Sequence, residues 1–206
     1  MRPDEPWVRD ITEVVFSVQF DRQPIDGLDR LLELIIATDT LPGSPQRYLA
    51  AARAALDSRV RLADLAAQPH SEGAIRKLLS ALADRLALWI EQPIELERLP
   101  AAQWRPGPAA DPVAHLDREA TFLERWLGIP FEQVADPVGE LRMAVLRLPS
   151  GTVVALVQVL GNPVPGTSLL QPGSQPRPHR EVIDEFLRAT RLAPAVVGSG
   201  ADAVSG

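Results

Sequence analysis

Three histidines, His70, His115 and His179, are the only imidazoles in this chain of 206 residues, and cysteine is absent. Metal sites, thiol nucleophiles and proton shuttles near neutral pH draw chiefly on those two residue types. The chemistry open to the chain is therefore narrow. One spacing resembles a metal site: Asp111, His115 and Glu119 follow at steps of four, which on a helix sets three cation-ligating side chains along one face. The same residues read better as a helix cap, a solvent-facing histidine and a charge pair with Arg118 or Arg125. A zinc set usually needs a further histidine or cysteine, which this spacing does not supply, so no metal and no other cofactor is expected.

Nucleophilic chemistry is no better served. Ser71 stands beside His70, but neighbours at a helix start do not line a hydroxyl up with an imidazole, and capping accounts for the serine. Ser150 falls in a Pro-Ser-Gly turn, and no Gly-x-Ser-x-Gly elbow occurs. The segment Gly161–Gly166 carries prolines where a phosphate loop needs backbone donors. No catalytic residue is expected. The polar residues with the best claim to line a ligand pocket are Arg142, Gln158, His115 and Glu119. Arg142 leads, because a buried arginine wants a carboxylate or a ligand anion.

Composition limits the partners. Hydrophobic residues make up 46% of the chain, enough for a core, and the net charge is −6. Lys77 is the only lysine beside 20 arginines, a bias that fits a GC-rich bacterial genome. An acidic chain without a basic run lacks the footprint of nucleic-acid binding. The longest apolar stretch, Thr152–Leu160, is too short to span a bilayer, and Met1–Pro6 has no apolar core of the kind a secretory signal carries. A cytoplasmic protein with no membrane association is expected. Its partner would be another protein, a basic one by charge, or a second copy of the chain.

The elements that must position these residues follow from periodicity. Val14, Phe16, Val18 and Phe20 alternate with polar residues, which predicts a strand over Ile11–Phe20. Asp26, Ser44-Pro45 and Ser71 open three helices within 27–92, the second running to about Ala67 and the third stopped by Pro93. Ile94–Leu99 reads as a short strand. Residues 100–112 hold four prolines and read as a linker or long loop; Asp111-Pro112 then caps a helix that buries Val113, Leu116, Ala120, Leu123 and Leu127 and closes at Gly128. Pro130–Val134 reads as extended. A hairpin, Glu140–Leu148 with Thr152–Leu160, turns on Pro149-Ser150-Gly151. Its register sets Leu146 against Val154, Ala144 against Leu156 and Arg142 against Gln158, with apolar residues on both faces. Gly161–Pro178, with five prolines and three glycines, reads as an arm; Arg180–Arg191 reads as a last helix, and the tail from Gly198 as disordered.

The order helix, Leu127-Gly128-Ile129-Pro130-Phe131, strand and hairpin (Met143–Val157) loosely resembles the β-α-β-β-β half-module of the vicinal-oxygen-chelate superfamily, the glyoxalase and bleomycin-resistance type proteins. The resemblance covers about a fifth of the chain. It implies a cupped sheet around a small ligand, with metal ligands on the strands. Where that family often carries a glutamate, this hairpin offers Val154, Ala155, Leu156 and Gln158.

The expectation is an α+β fold, its antiparallel sheet built from the N-terminal strand and the C-terminal hairpin and packed with about three helices. The segments are 1–99, 100–112, 113–160, 161–178 and 179–206. Function is read as non-catalytic protein interaction or regulation, as an adaptor, inhibitor or immunity-type protein, or accessory subunit. Trp7 and Trp104 in proline-flanked segments, and Pro163, Pro165, Leu169 and Leu170 of the arm, are the expected contacts. A small-molecule binder or minor enzyme, with a pocket between hairpin and helices, is the alternative.

Overall fold

The computed structural model describes residues 5–92, 94, 96–104, 110–136, 139–161, 165–174 and 176–198. It is an α+β structure in two compact units, Met1–Pro93 and Ile94–Gly206. Among the described residues no helix is long and apolar enough to cross a membrane.

The first unit is helical: α1 (Pro6–Ser17), α2 (Leu28–Ala37), α3 (Pro45–Asp57) and α4 (Glu72–Glu91). The strand expected over Ile11–Phe20 is instead the body of α1 and the turn after it. Trp7, Ile11, Val14, Val15 and Val18 recur at helical spacing and are all buried, whereas Phe16 and Phe20 are left outside. Pro6 in the first turn supplies the start. Ser44 and Ser71 cap α3 and α4 as their sequence positions require, each accepting a hydrogen bond from the backbone N–H three residues on, at 3.3 Å.

Helix α3 stops ten residues earlier than its alanine-rich sequence implies. Ser58 turns its hydroxyl back onto the Ala55 carbonyl at 2.8 Å. Arg76 of α4 then collects the carbonyls of Leu56, Ser58 and Val60 at 3.0, 3.3 and 3.2 Å. A guanidinium gathering three carbonyls stabilises a helix end better than another turn of weakly amphipathic alanine. Between α1 and α3, Asp10 is 3% exposed and receives Arg47 in a two-pronged contact of 2.8 and 2.6 Å.

The second unit is an antiparallel sheet of β1 (Glu97–Leu99), β2 (Ala110–Leu116), β3 (Glu132–Asp136), β4 (Gly139–Arg147), β5 (Val153–Val159) and β6 (Thr167–Pro172), with α5 (Ala120–Leu127) and α6 (His179–Thr190). The order is β1-β4-β5-β6-β2, and β3 pairs with β4 on the edge that β1 also uses. The hairpin register is the expected one, with Arg142 against Gln158, Ala144 against Leu156 and Leu146 against Val154. Gly151 makes it possible by adopting φ 87° in the turn.

Two expectations fail here. The helix expected from Val113 is strand β2 as far as Leu116, and only Ala120 onward is helical. Pro112 sits beside a register break in that edge strand, where a missing N–H costs least. Within the proline-rich arm, Thr167–Pro172 is a strand between β5 and β2, and Leu169 is fully buried in it. The proline-free run Thr167–Gln171 gives every residue of β6 but its last, Pro172, a backbone donor. Pro163 and the tail after Gly198 lie outside the described residues.

Both faces of the hairpin are buried. Met143, Val145, Ala155 and Val157 form one cluster with Leu99 and Leu141, against which Trp104 packs. Helix α5 lies against β5, and α6 against β2. Phe186 of α6 has no exposed surface. Phe186→Ala is expected to cost about 3–5 kcal/mol in urea unfolding.

Candidate interaction surface

The polar residues that looked chemical are engaged in holding the second unit together. Arg142 donates to Glu124 on α5 at 2.6 Å, and the other Glu124 oxygen accepts the Phe131 N–H at 2.7 Å. Gln158, across the ladder, accepts the Ala120 N–H at 3.1 Å. It thereby takes the capping role at the start of α5, where Glu119 is N-cap by position and makes no side-chain cap bond. Arg142 and Gln158 thus clamp α5 to the sheet. Its carboxylate is Glu124, not a ligand. His115 donates to the Pro165 carbonyl at 3.1 Å from a strand, so Asp111, His115 and Glu119 do not share a helix face. Among the described residues no group of three or more histidines and carboxylates could hold a metal ion.

A second network, unforeseen from the sequence, ties the loop after β6 to the hairpin tip. Asp111 accepts from Gln171 at 2.7 Å and from His179 at 2.9 Å. Buried Gln171 in turn bonds the backbone of Arg177 through both its amide atoms. Arg177 reaches Ser150, Thr152 and Glu185 at 2.8, 2.6 and 2.7 Å. Burial pushes the Glu185 carboxyl up, but the bonds from Ser150 and Arg177 outweigh it and leave it below its usual value. Clefts of about 620 and 560 Å³ flank Arg177. The guanidinium inside them already faces Glu185 and Glu181, so it offers little to an anion. Ser150 bonds Thr152 and Arg177. This network is a brace.

The expected partner contacts are distributed differently. Trp7 is 8% exposed, its indole N–H on Glu5, and belongs to the core of the first unit. Trp104 and Leu170 are partly buried against the Leu99–Met143 cluster. Pro165 alone of the described contacts is exposed.

The most exposed large apolar side chains among the described residues are on the first unit. Phe20 is 93% exposed and Phe16 60%. They border a cleft of about 600 Å³ whose other walls include Thr12, Leu34, Leu41 and Pro42. Leu41 is buried at its floor, and α1 and α2 supply the two sides. Sequence reasoning placed Phe16 and Phe20 inside a strand. The signal for Phe16 is its position off the Trp7–Ile11–Val14–Val15 stripe once residues 6–17 are taken as a helix; Phe20 lies in the turn beyond it.

No family model matches the chain, and neither a curated protein nor a solved structure is significantly similar to it.

Two outcomes follow from this geometry. Phe20→Ala should change stability by less than about 0.5 kcal/mol in urea unfolding, because its ring touches mainly water. For Asp111, the hydrogen bond from His179, then that from Gln171, holds the carboxyl below its ordinary value. A depressed carboxyl contributes stability above its unfolded-state pKa and loses it as pH falls towards the folded one. The stability gap between wild type and Asp111→Asn should therefore be full at pH 5 and shrink as pH falls below about 4, the ordinary aspartate value, read from urea midpoints.

Proposed function

We propose that this chain is a non-catalytic protein-interaction or regulatory protein of a bacterial cytoplasm, an adaptor, inhibitor or accessory subunit, and that it binds through the cleft beside Phe16 and Phe20. The observation that carries this reading is the exposure of two phenylalanines four residues apart beside an apolar cleft. Isolated apolar side chains on a surface are ordinary, but aromatic side chains grouped around a concave site are the usual anchors of protein recognition. The chemistry of the second unit points the same way. Arg142 is bonded to Glu124 and Arg177 to Glu185, at the places where a reaction centre would need them free. A small-molecule pocket on Arg142 would require Glu124 to release it, and Arg142 lines none of the four clefts described above and below.

The fourth cleft, about 800 Å³ and open, lies beside Trp7 and Asp57–Val60. It mixes Arg59 and Arg61 with Asp57 and Asp64 and has no exposed aromatic wall. That makes it the weaker contact surface.

Affinity capture with the full chain tests the reading. A stoichiometric protein partner should be retained by wild type and by Leu160→Ser, an exposed apolar position on the other unit. The same partner should be lost from Phe16→Ser/Phe20→Ser while its circular dichroism stays unchanged. A partner profile indifferent to the double substitution would overturn the assignment of the cleft.

A further inference from the structure

Nothing in the local sequence ends α1 where it ends. Positions 7–23 hold neither proline nor glycine, and the last turn of α1 carries no basic residue of its own. A further turn would carry Phe20 onto the helix four residues after Phe16, along the same edge. The stop comes from elsewhere in the first unit. Arg30, in α2, donates from Nη2 to the Ser17 carbonyl at 2.8 Å. In a continuing helix that carbonyl would take the Asp21 N–H; here the Asp21 N–H goes instead to the Val18 carbonyl, at 3.1 Å. His70, ahead of α4, donates from Nε2 to the same Val18 carbonyl at 3.2 Å. Two side chains from other elements thus take the acceptors that another turn would use.

The nitrogen of Arg30 that holds Ser17 also holds the Asp21 carboxylate, at 2.7 Å, so one atom pins the chain on both sides of the Val18–Phe20 turn. Gly27 makes room for this. A Cβ there would overlap the Asp21 carboxylate and come within 2.9 Å of a methyl of Val18, whose side chain is fully buried. Behind His70, Gln68 accepts the His70 backbone N–H at 2.6 Å and donates to the Ala63 carbonyl at 2.9 Å, which fixes the loop from which the imidazole reaches out. The turn is therefore held from α2, from Gly27 and from the loop before α4. Phe16 then leaves from the helix and Phe20 from the turn, and both border the cleft. Rings already in place spare a partner the ordering cost that association would otherwise carry.

Resting on the interaction reading above, we propose that Arg30 and His70 are positioning residues of that contact surface. By ending α1 at Ser17 they preset Phe16 and Phe20 about the cleft before any partner arrives. Neither residue lines the cleft, and each acts through the backbone of the turn.

Residue-resolved amide exchange on the full-length protein reads the turn, and the affinity capture described above reads the contact. Arg30→Gln and His70→Leu should each speed exchange of the Gln19 and Asp21 amides about fivefold. Each should also lower retention of the captured partner about fivefold. Arg30→Lys should restore both readouts, since a single nitrogen serves both acceptors, and so should His70→Gln, whose amide can donate. Arg85→Gln, which removes an exposed ion pair with Asp29 in the same unit, should change neither. Unchanged exchange in Arg30→Gln and His70→Leu would overturn the positioning role, as would faster exchange with wild-type retention. Equal loss of retention in Arg30→Gln and Arg30→Lys would make the guanidinium itself a contact and would equally overturn it. In all three cases the interaction reading stands as long as wild type retains a partner that Phe16→Ser/Phe20→Ser loses. A wild-type chain that retains no protein would overturn that reading, and the positioning role with it.

Discussion

The contact on which the first unit depends is the one between Asp10 and Arg47. A carboxylate that is 3% exposed has to be met by a cation with good geometry, because an unpaired charge at that depth costs several kcal/mol. Arg47 meets it through both prongs, at 2.8 and 2.6 Å. A bidentate contact has direction as well as strength. It fixes how α1 is turned about its own axis against α3. Once Asp10 faces Arg47, helical spacing sends Ile11, Val14, Val15 and Val18 inward. Phe16 then has no inward position left, and Phe20 follows it in the turn beyond α1. The exposed aromatic pair is a consequence of how one buried charge is satisfied, and so is the cleft beside it.

Polar residues in the second unit do comparable work, which explains why they looked like site residues. Arg142, Gln158, Asp111 and His179 occupy places where a sheet must be joined to a helix or a loop, and aliphatic packing alone leaves such junctions free to slide. Charge-assisted bonds with defined geometry remove that freedom. A residue needed for such a joint resembles a residue needed for chemistry, since both are polar and half-buried with a partner in reach. The difference lies in saturation. Glu124 serves Arg142 and the Phe131 N–H with separate oxygens, and Gln171 uses both its amide atoms. Each of these atoms already has a partner within the second unit.

Legibility in the sequence followed the range of the interactions that decide each element. The hairpin was readable down to its residue pairs, since a three-residue turn with glycine at the positive-φ position sets the register locally. The caps at Ser44 and Ser71 were readable for the same reason. Helix α1 was not, because Val14, Phe16, Val18 and Phe20 satisfy a period of two while Ile11, Val14, Val15 and Val18 satisfy one of 3.6. Only the partner surface and the Asp10–Arg47 contact, 37 residues apart, choose between them. Strands β2 and β6 were hidden in proline-rich stretches, and they pair with each other across 51 to 62 residues of chain. The Asp111–His179 contact spans 68 residues and has no local signature.

Leaving Phe16 and Phe20 in water has a cost that bears on how the cleft is built. Each ring, buried, would contribute on the order of 2 kcal/mol. Exposed, it instead invites unspecific association. Glu13, at this rim, does not share that fate: it is tied to Arg9 at 3.2 Å and to the buried Tyr48 hydroxyl at 3.3 Å, so the charge beside the cleft is held within the first unit while the two rings are left to the solvent.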